Sequence, residues 1–307
     1  VLLCTPLESV AVEVIKKQLD KDIAAMNANA PVSLLAKWLP SVNTSSQKTR
    51  NSGRYIANLL GMNQRTYRKT LSALRRYSDI LENRLRERDY TFNYEQQPSC
   101  AMFKYRGAFI RNDGERYTDY LNKVHSGKAK MNADKLFPYD IVRAALNTNI
   151  STEQKLALDA AWKSLPDLNA AKRENAIAVV DGSGSMTCGC GGIRPIDAAL
   201  SLGIYFAEHN TGAFANHFIT FSESPRLVQI KGKDIVSKVN YCSTFNEVAD
   251  TNLEAVFRLI LDTAISSGVP CATIVPPPSP PSGPRSIMWS ATFITLRLCS
   301  ITRTVLP

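Results

Sequence analysis

Three oxygen-bearing side chains stand at alternate positions in Asp181-Gly182-Ser183-Gly184-Ser185. They follow Ala176-Ile-Ala-Val-Val180, a short apolar run typical of a strand buried on both faces. Open α/β sheets place ligands at the carboxyl ends of their strands, which is where this carboxylate and these two hydroxyls fall. All three are hard oxygen donors and suit Mg²⁺ or Mn²⁺. Gly182 and Gly184 let the chain curl so that the alternate side chains converge. The plainer use of such a stretch is a polar turn that caps the next helix.

Other chemistries fail on spacing. A phosphate-binding P-loop needs a Gly-Lys-Ser/Thr ending, and no lysine occurs between Arg173 and Lys231. A nucleophile elbow needs glycines two residues to either side of its serine; Ser183 has Asp181 before it and Ser185 has Ser183. An Asp-x-Asp phosphotransfer loop would need a second aspartate at position 183. No general base is evident near the loop, so a hydrolase is the weaker expectation and a non-enzymatic binding protein the stronger. Cys188 and Cys190 could begin a zinc site, but no second pair has ligand spacing. Seven cysteines, an odd number spread over 307 residues, suit a reducing compartment better than a disulfide framework. With no basic-then-apolar leader and no run of 18 apolar residues, a cytoplasmic protein without a membrane span is expected.

The loop needs a sheet behind it. Pro195 opens a helix that reads to about His209, and His217 to Phe221 and Arg226 to Ile230 read as strands. Lys233 to Val239 and Asn252 to Ile265 read as helices, so strand and helix alternate as in an α/β sheet. Before residue 175 the periodicity is helical: Val10 to Ala25, Val32 to Leu39, Tyr55 to Leu60, Glu115 to Val124, Pro138 to Leu146 and Ser151 to Ser164. Arg65 to Arg88 reads as one amphipathic helix with Tyr67, Leu71, Leu74, Leu81 and Leu85 on a shared face.

Charge divides the chain in the same way. Residues 1–174 hold 28 Lys+Arg against 18 Asp+Glu, while residues 175–307 hold 9 of each. Arg65, Arg68, Lys69, Arg75, Arg76 and Arg86 lie on or beside the polar face of the long helix, where they could meet RNA phosphates. The alternative is a solvated face with internal ion pairs, Glu82 to Arg86 and Arg76 to Asp79.

Val179-Val-Asp-Gly-Ser-Gly-Ser-Met186 resembles the first segment of a metal-ion-dependent adhesion site in a von Willebrand A-type domain. The resemblance implies that Thr251, in Ala249-Asp-Thr-Asn-Leu-Glu254, joins Asp181, Ser183 and Ser185 around the cation. It also implies an open metal position that engages an acidic group on a protein partner. Thr251 and Glu254 also have the spacing of a helix capping box. Ala101-Met-Phe-Lys-Tyr-Arg106, Phe137-Pro-Tyr-Asp-Ile-Val142 and Ile196-Asp-Ala-Ala-Leu200 are similar to stretches of an intracellular family related to the Ro (TROVE) ribonucleoprotein proteins. That likeness covers roughly residues 50 to 266 and implies RNA binding on a helical, repeat-like region.

The expected organisation is therefore α + α/β: a basic helical region at 1–174, an incomplete A-type domain at 175–267 and an atypical proline-rich tail at 268–307. From Gly268 to Pro307 there is no Asp, Glu or Lys, and eight of the forty residues are proline. The later acidic segment of an A-type site is missing, so weak cation binding is expected. A frame-shifted end, an alternative terminus and a genuine linker all fit this composition.

Overall fold

The computed structural model describes residues 5–78, 80–167, 177–189, 194–246, 252–267, 272–275 and 295–298. The chain forms two compact units, residues 1–92 and 93–307. This packing boundary lies inside the region that charge marks off as 1–174.

In the first unit five helices, α1 (Glu8–Asn27), α2 (Leu35–Trp38), α3 (Gln47–Leu59), α4 (Gln64–Tyr77) and α5 (Leu81–Glu87), enclose one core. Leu19, Leu39, Ile56, Tyr67, Leu71 and Leu74 fill it. The single helix expected over 65–88 is two. After Tyr77 the backbone turns extended at Ser78, whose hydroxyl bonds back to the Leu74 carbonyl. Asn83 Nδ2 donates to the Arg75 and Ser78 carbonyls, so one side-chain amide satisfies two carbonyls at the broken end.

The second unit begins with α6 (Ser99–Asn112), α7 (Gly114–His125), α8 (Pro138–Ala145) and α9 (Thr152–Lys163). Ser151 caps α9 in a full capping box with Gln154. The sheet follows: β1 (Ala178–Asp181), β2 (His217–Phe221) and β3 (Leu227–Gln229). β1 and β2 run parallel, joined through α10 (Pro195–His209), and β3 returns antiparallel beside β2. This is a mostly helical region followed by a small mixed sheet with helices. α11 (Ile235–Ser243) and α12 (Leu253–Ser266) complete the described helices. Val256, Ile260 and Ala264 of α12 pack against Val179 and Ile219 on one sheet face. On the other face Val180 meets Gly203 of α10. α8 and α9 pack on α10 and α11, so the helices of residues 138–163 belong with the sheet.

In the tail, β4 (Ala272–Val275) and β5 (Thr295–Leu298) pair antiparallel as a separate two-stranded sheet. Neither adds to the three-stranded sheet. The strands form at positions outside the proline cluster. None of them is proline, so each keeps its ladder donor. On α12, Leu253 and Leu261 are about half exposed while Val256 and Ile260 are buried. Among the described residues no helix is long and apolar enough to cross a membrane.

Candidate functional site

Asp181 is the last residue of β1 and pairs across the sheet with Phe221, the last of β2. Its position at the carboxyl edge follows from the buried run before it: Ala178, Val179 and Val180 are held on both faces, and the chain emerges at 181. Asp181 Oδ1 accepts the Ser183 backbone N–H at 2.9 Å, an Asx-turn that bends the chain back over the carboxylate. A 3₁₀ turn, Gly184–Thr187, follows and is fixed by buried Met186. The Ser183 and Ser185 hydroxyl oxygens are brought to 3.1 Å of each other. The three residues singled out by spacing therefore meet in one turn, the carboxylate on the Ser183 backbone and the two hydroxyls on each other. Among the described residues no other hydrogen bond or ion pair engages Asp181, so its second oxygen is open.

Thr251 lies outside the described residues, but its surroundings bear on its role. The N-cap of α12 is Asn252, whose side chain accepts the Ala255 N–H at 3.0 Å. The capping box read from Thr251 and Glu254 is thus corrected by one residue; Glu254 pairs instead with Arg258. Asn is among the preferred capping residues, and it stands one place closer to the first helical turn. The Asn252 N–H donates to the Ser222 carbonyl, just past the end of β2. That bond ties the segment after Thr251 to the sheet edge that carries Asp181.

Two residues at this edge were not singled out from sequence. Ser222 is 2% exposed, and its hydroxyl has no hydrogen-bond partner among the described residues. Buried orphan hydroxyls are expected where a site is completed by water or an ion. Its place one residue past β2 was readable as a strand-end position. Asn246 follows α11, and a Cβ at Gly182 would come within 3.0 Å of its Cα. Gly182 thus leaves room for this close approach, whereas its φ lies outside the left-handed region, so the turn itself does not demand glycine there. No sequence signal marked Asn246.

The donor set fits a hard cation in type: one carboxylate, two adjacent hydroxyls and a nearby buried hydroxyl. Nearby charge is otherwise committed, since buried Asp197 takes both Nε and NH2 of Arg194 at 3.1 and 2.7 Å. No group of three or more His, Cys, Asp or Glu side chains converges among the described residues. Cys188 is exposed, and its expected companion Cys190 lies outside the described residues.

The basic helix gives a mixed result. Arg65, Arg68, Lys69 and Arg76 are exposed on α4, opposite buried Tyr67, Leu71 and Leu74, and no ion pair engages them among the described residues. Arg75 is corrected to a structural role. It donates from Nε to the Ala36 carbonyl at 2.7 Å, from NH1 to Ser41 Oγ at 2.6 Å and from NH2 to the Leu39 carbonyl. These bonds close the carboxyl end of α2, whose last carbonyls lack helical donors. Arg86 lies on α5 and pairs with Glu87 at 2.8 Å rather than with Glu82, which binds Lys37. Asp79, the expected partner of Arg76, lies outside the described residues.

A family model described as "Domain of unknown function (DUF2828)" matches residues 9–172, and one described as "Domain of unknown function (DUF7788)" matches residues 175–276. An uncharacterized protein, L728, of Acanthamoeba polyphaga mimivirus is 28% identical over 283 residues, covering 85% of this chain. The chain spans about half, 48%, of that relative's length. No solved structure matches.

Proposed function

The chain belongs to the family described as a domain of unknown function (DUF2828), and on that premise we propose a non-enzymatic binding protein that uses a divalent cation to engage a partner. The reading likens residues 175–267 to a von Willebrand A-type domain without its later acidic segment, and the preceding helices to those of Ro-related proteins. The observation that carries it is the turn in which Asp181 holds the Ser183 N–H while the Ser183 and Ser185 hydroxyls meet at 3.1 Å. Asp181 would supply the anionic oxygen, Ser183 and Ser185 the neutral ones, with Thr251 as fourth donor. The bound Mg²⁺ or Mn²⁺ would offer an open position to an acidic side chain of a protein partner.

One carboxylate compensates poorly for stripping water from a hard ion, so affinity on the order of millimolar is expected. Calorimetry with Mg²⁺ and Mn²⁺ tests this: Asp181→Ala should abolish the heat of binding. Tight binding that survives Asp181→Ala would remove the site assignment.

A second reading, RNA binding through the helical region, is favoured by the four exposed cations of α4. Arg65, Arg68, Lys69 and Arg76 lie within one arc of that helix, on the side away from its core residues.

A further inference from the structure

We propose that the pocket beside Arg106 binds a small oxyanion, a molecule carrying a phosphate or carboxylate group. Arg106 closes the Ala101-Met-Phe-Lys-Tyr-Arg106 stretch, and the cation-site reading gives it no role. It lies on α6, in the second unit. Its NH1 donates to the Phe103 carbonyl at 2.6 Å, and its guanidinium sits 4.2 Å from the Phe103 ring centroid. Among the described residues it has no other hydrogen bond, and no carboxylate pairs with it. A guanidinium carries five N–H donors, so most of this one's capacity is open.

The group is also partly withdrawn from water. Burial lowers its pKa from the usual guanidinium value, against the opposing influence of Tyr117. A cation withdrawn from water without an anion is unfavourable, and an oxyanion seated on it relieves that cost. Arg106 lines a crevice of about 10 Å³ with Met102, Tyr117, Ala157 and Ala161, too tight for a ligand. It also lines a pocket of about 330 Å³, together with Asn147, Thr148, Asn149 and Gln154.

The lining has no acidic side chain, and Arg106 is its one charged group. Asn147 donates one amide N–H to the Ala144 carbonyl. Gln154 Oε1 already accepts the Ser151 N–H, which leaves its amide N–H groups as the open end. Gln154 stands in the first turn of α9, where the helix dipole adds positive potential. A guanidinium presents paired N–H groups that match two oxygens of a carboxylate or phosphate. The volume is at the small end for ligand pockets, so the occupant is a small molecule rather than a dinucleotide or a polymer.

The test is a titration of the full chain with inorganic phosphate and, separately, malonate at constant ionic strength, with chloride as control. The thermal midpoint is followed for both anions and the ³¹P line width for phosphate. A saturable response to at least one of the two is expected, and which one responds identifies the ligand class. Arg106→Met should weaken it by about tenfold or more, and Arg106→Lys should also weaken it because the bidentate fork is lost. Thr148→Val/Asn149→Ala changes only exposed pocket residues and should weaken the response while leaving the anion-free midpoint unchanged. If Arg106→Met does not fold, that double variant decides. No response to either anion, an equal response to chloride, or a response unmoved in the variants that fold would overturn the proposal. Asp181→Ala should leave this site intact, which separates its failure from failure of the cation reading.

Discussion

A buried carboxylate is tolerated where its oxygens are matched, and Asp159 on α9 is 5% exposed. Its Oδ1 accepts the N–H of Ile235, the first residue of α11, at 2.9 Å. Its Oδ2 faces Lys163 Nζ at 2.9 Å and His125 Nδ1 at 3.7 Å. One side chain thus satisfies an orphan donor at the start of α11 and joins three helices of the second unit. Lys163 is more than half exposed, so the ion pair adds little and the acceptor role dominates. Asp159→Ala should cost about 1–3 kcal/mol, the penalty for leaving a buried N–H without a partner. Asp159→Asn keeps an acceptor for Ile235 and should cost less. Urea denaturation of both variants checks this; equal losses would shift the cause from the hydrogen bond to the charge. Nothing in the sequence around Asp159 signals the contact, because its partner lies 76 residues away.

Elements that pack face to face depend on what is missing as much as on what is present. α10 lies on β1 at Gly203, where an added Cβ would fall inside van der Waals contact with Val180 Cγ2. Val180 is β-branched and held in the sheet, so it cannot swing away. Gly203→Ala should therefore destabilise the second unit by about 1–3 kcal/mol, as overpacked cores do. Val180→Ala in the same chain should recover part of that loss, and chemical denaturation of the single and double variants reads the coupling. Such contacts explain what the sequence could and could not reveal. β2, α10 and α12 are legible because periodicity and strand runs act locally: His217 to Phe221 matches β2 at both ends, and Pro195 sits where α10 begins. The turn at Asp181 was legible for the same reason, since spacing alone brings Ser183 and Ser185 together. The break between α4 and α5 was not, because Leu81 and Leu85 stay in phase with Tyr67 across a turn made by the Ser78 and Asn83 side chains. Ser222 and Asn246 reach the site through tertiary approach, which periodicity does not encode.

Over the whole molecule the charge is concentrated more sharply than the sequence halves suggested. Residues 1–92 hold 15 Lys+Arg against 8 Asp+Glu, so most of the net charge of +10 belongs to the first compact unit. Not all of it is available to a polyanion. Arg75 is spent on the carbonyls and hydroxyl at the end of α2, Arg86 pairs with Glu87, and Lys37 pairs with Glu82. Arg65, Arg68, Lys69 and Arg76 remain exposed on one helix, near Lys48 and Arg54 in sequence. If those four neutralise phosphates, log K should fall with log salt at a slope of about −3 for single-stranded RNA, from roughly −0.7 per contact. Filter binding of an unstructured RNA across salt concentrations measures the slope. Changing the four to Gln should flatten it and weaken binding at low salt, with little effect on folding, because their side chains face solvent. Arg75→Gln separates the roles: it should lower the stability of the first unit while leaving the slope near its original value. A slope unchanged by the fourfold variant would return this face to ordinary solvation and leave the RNA reading without its support.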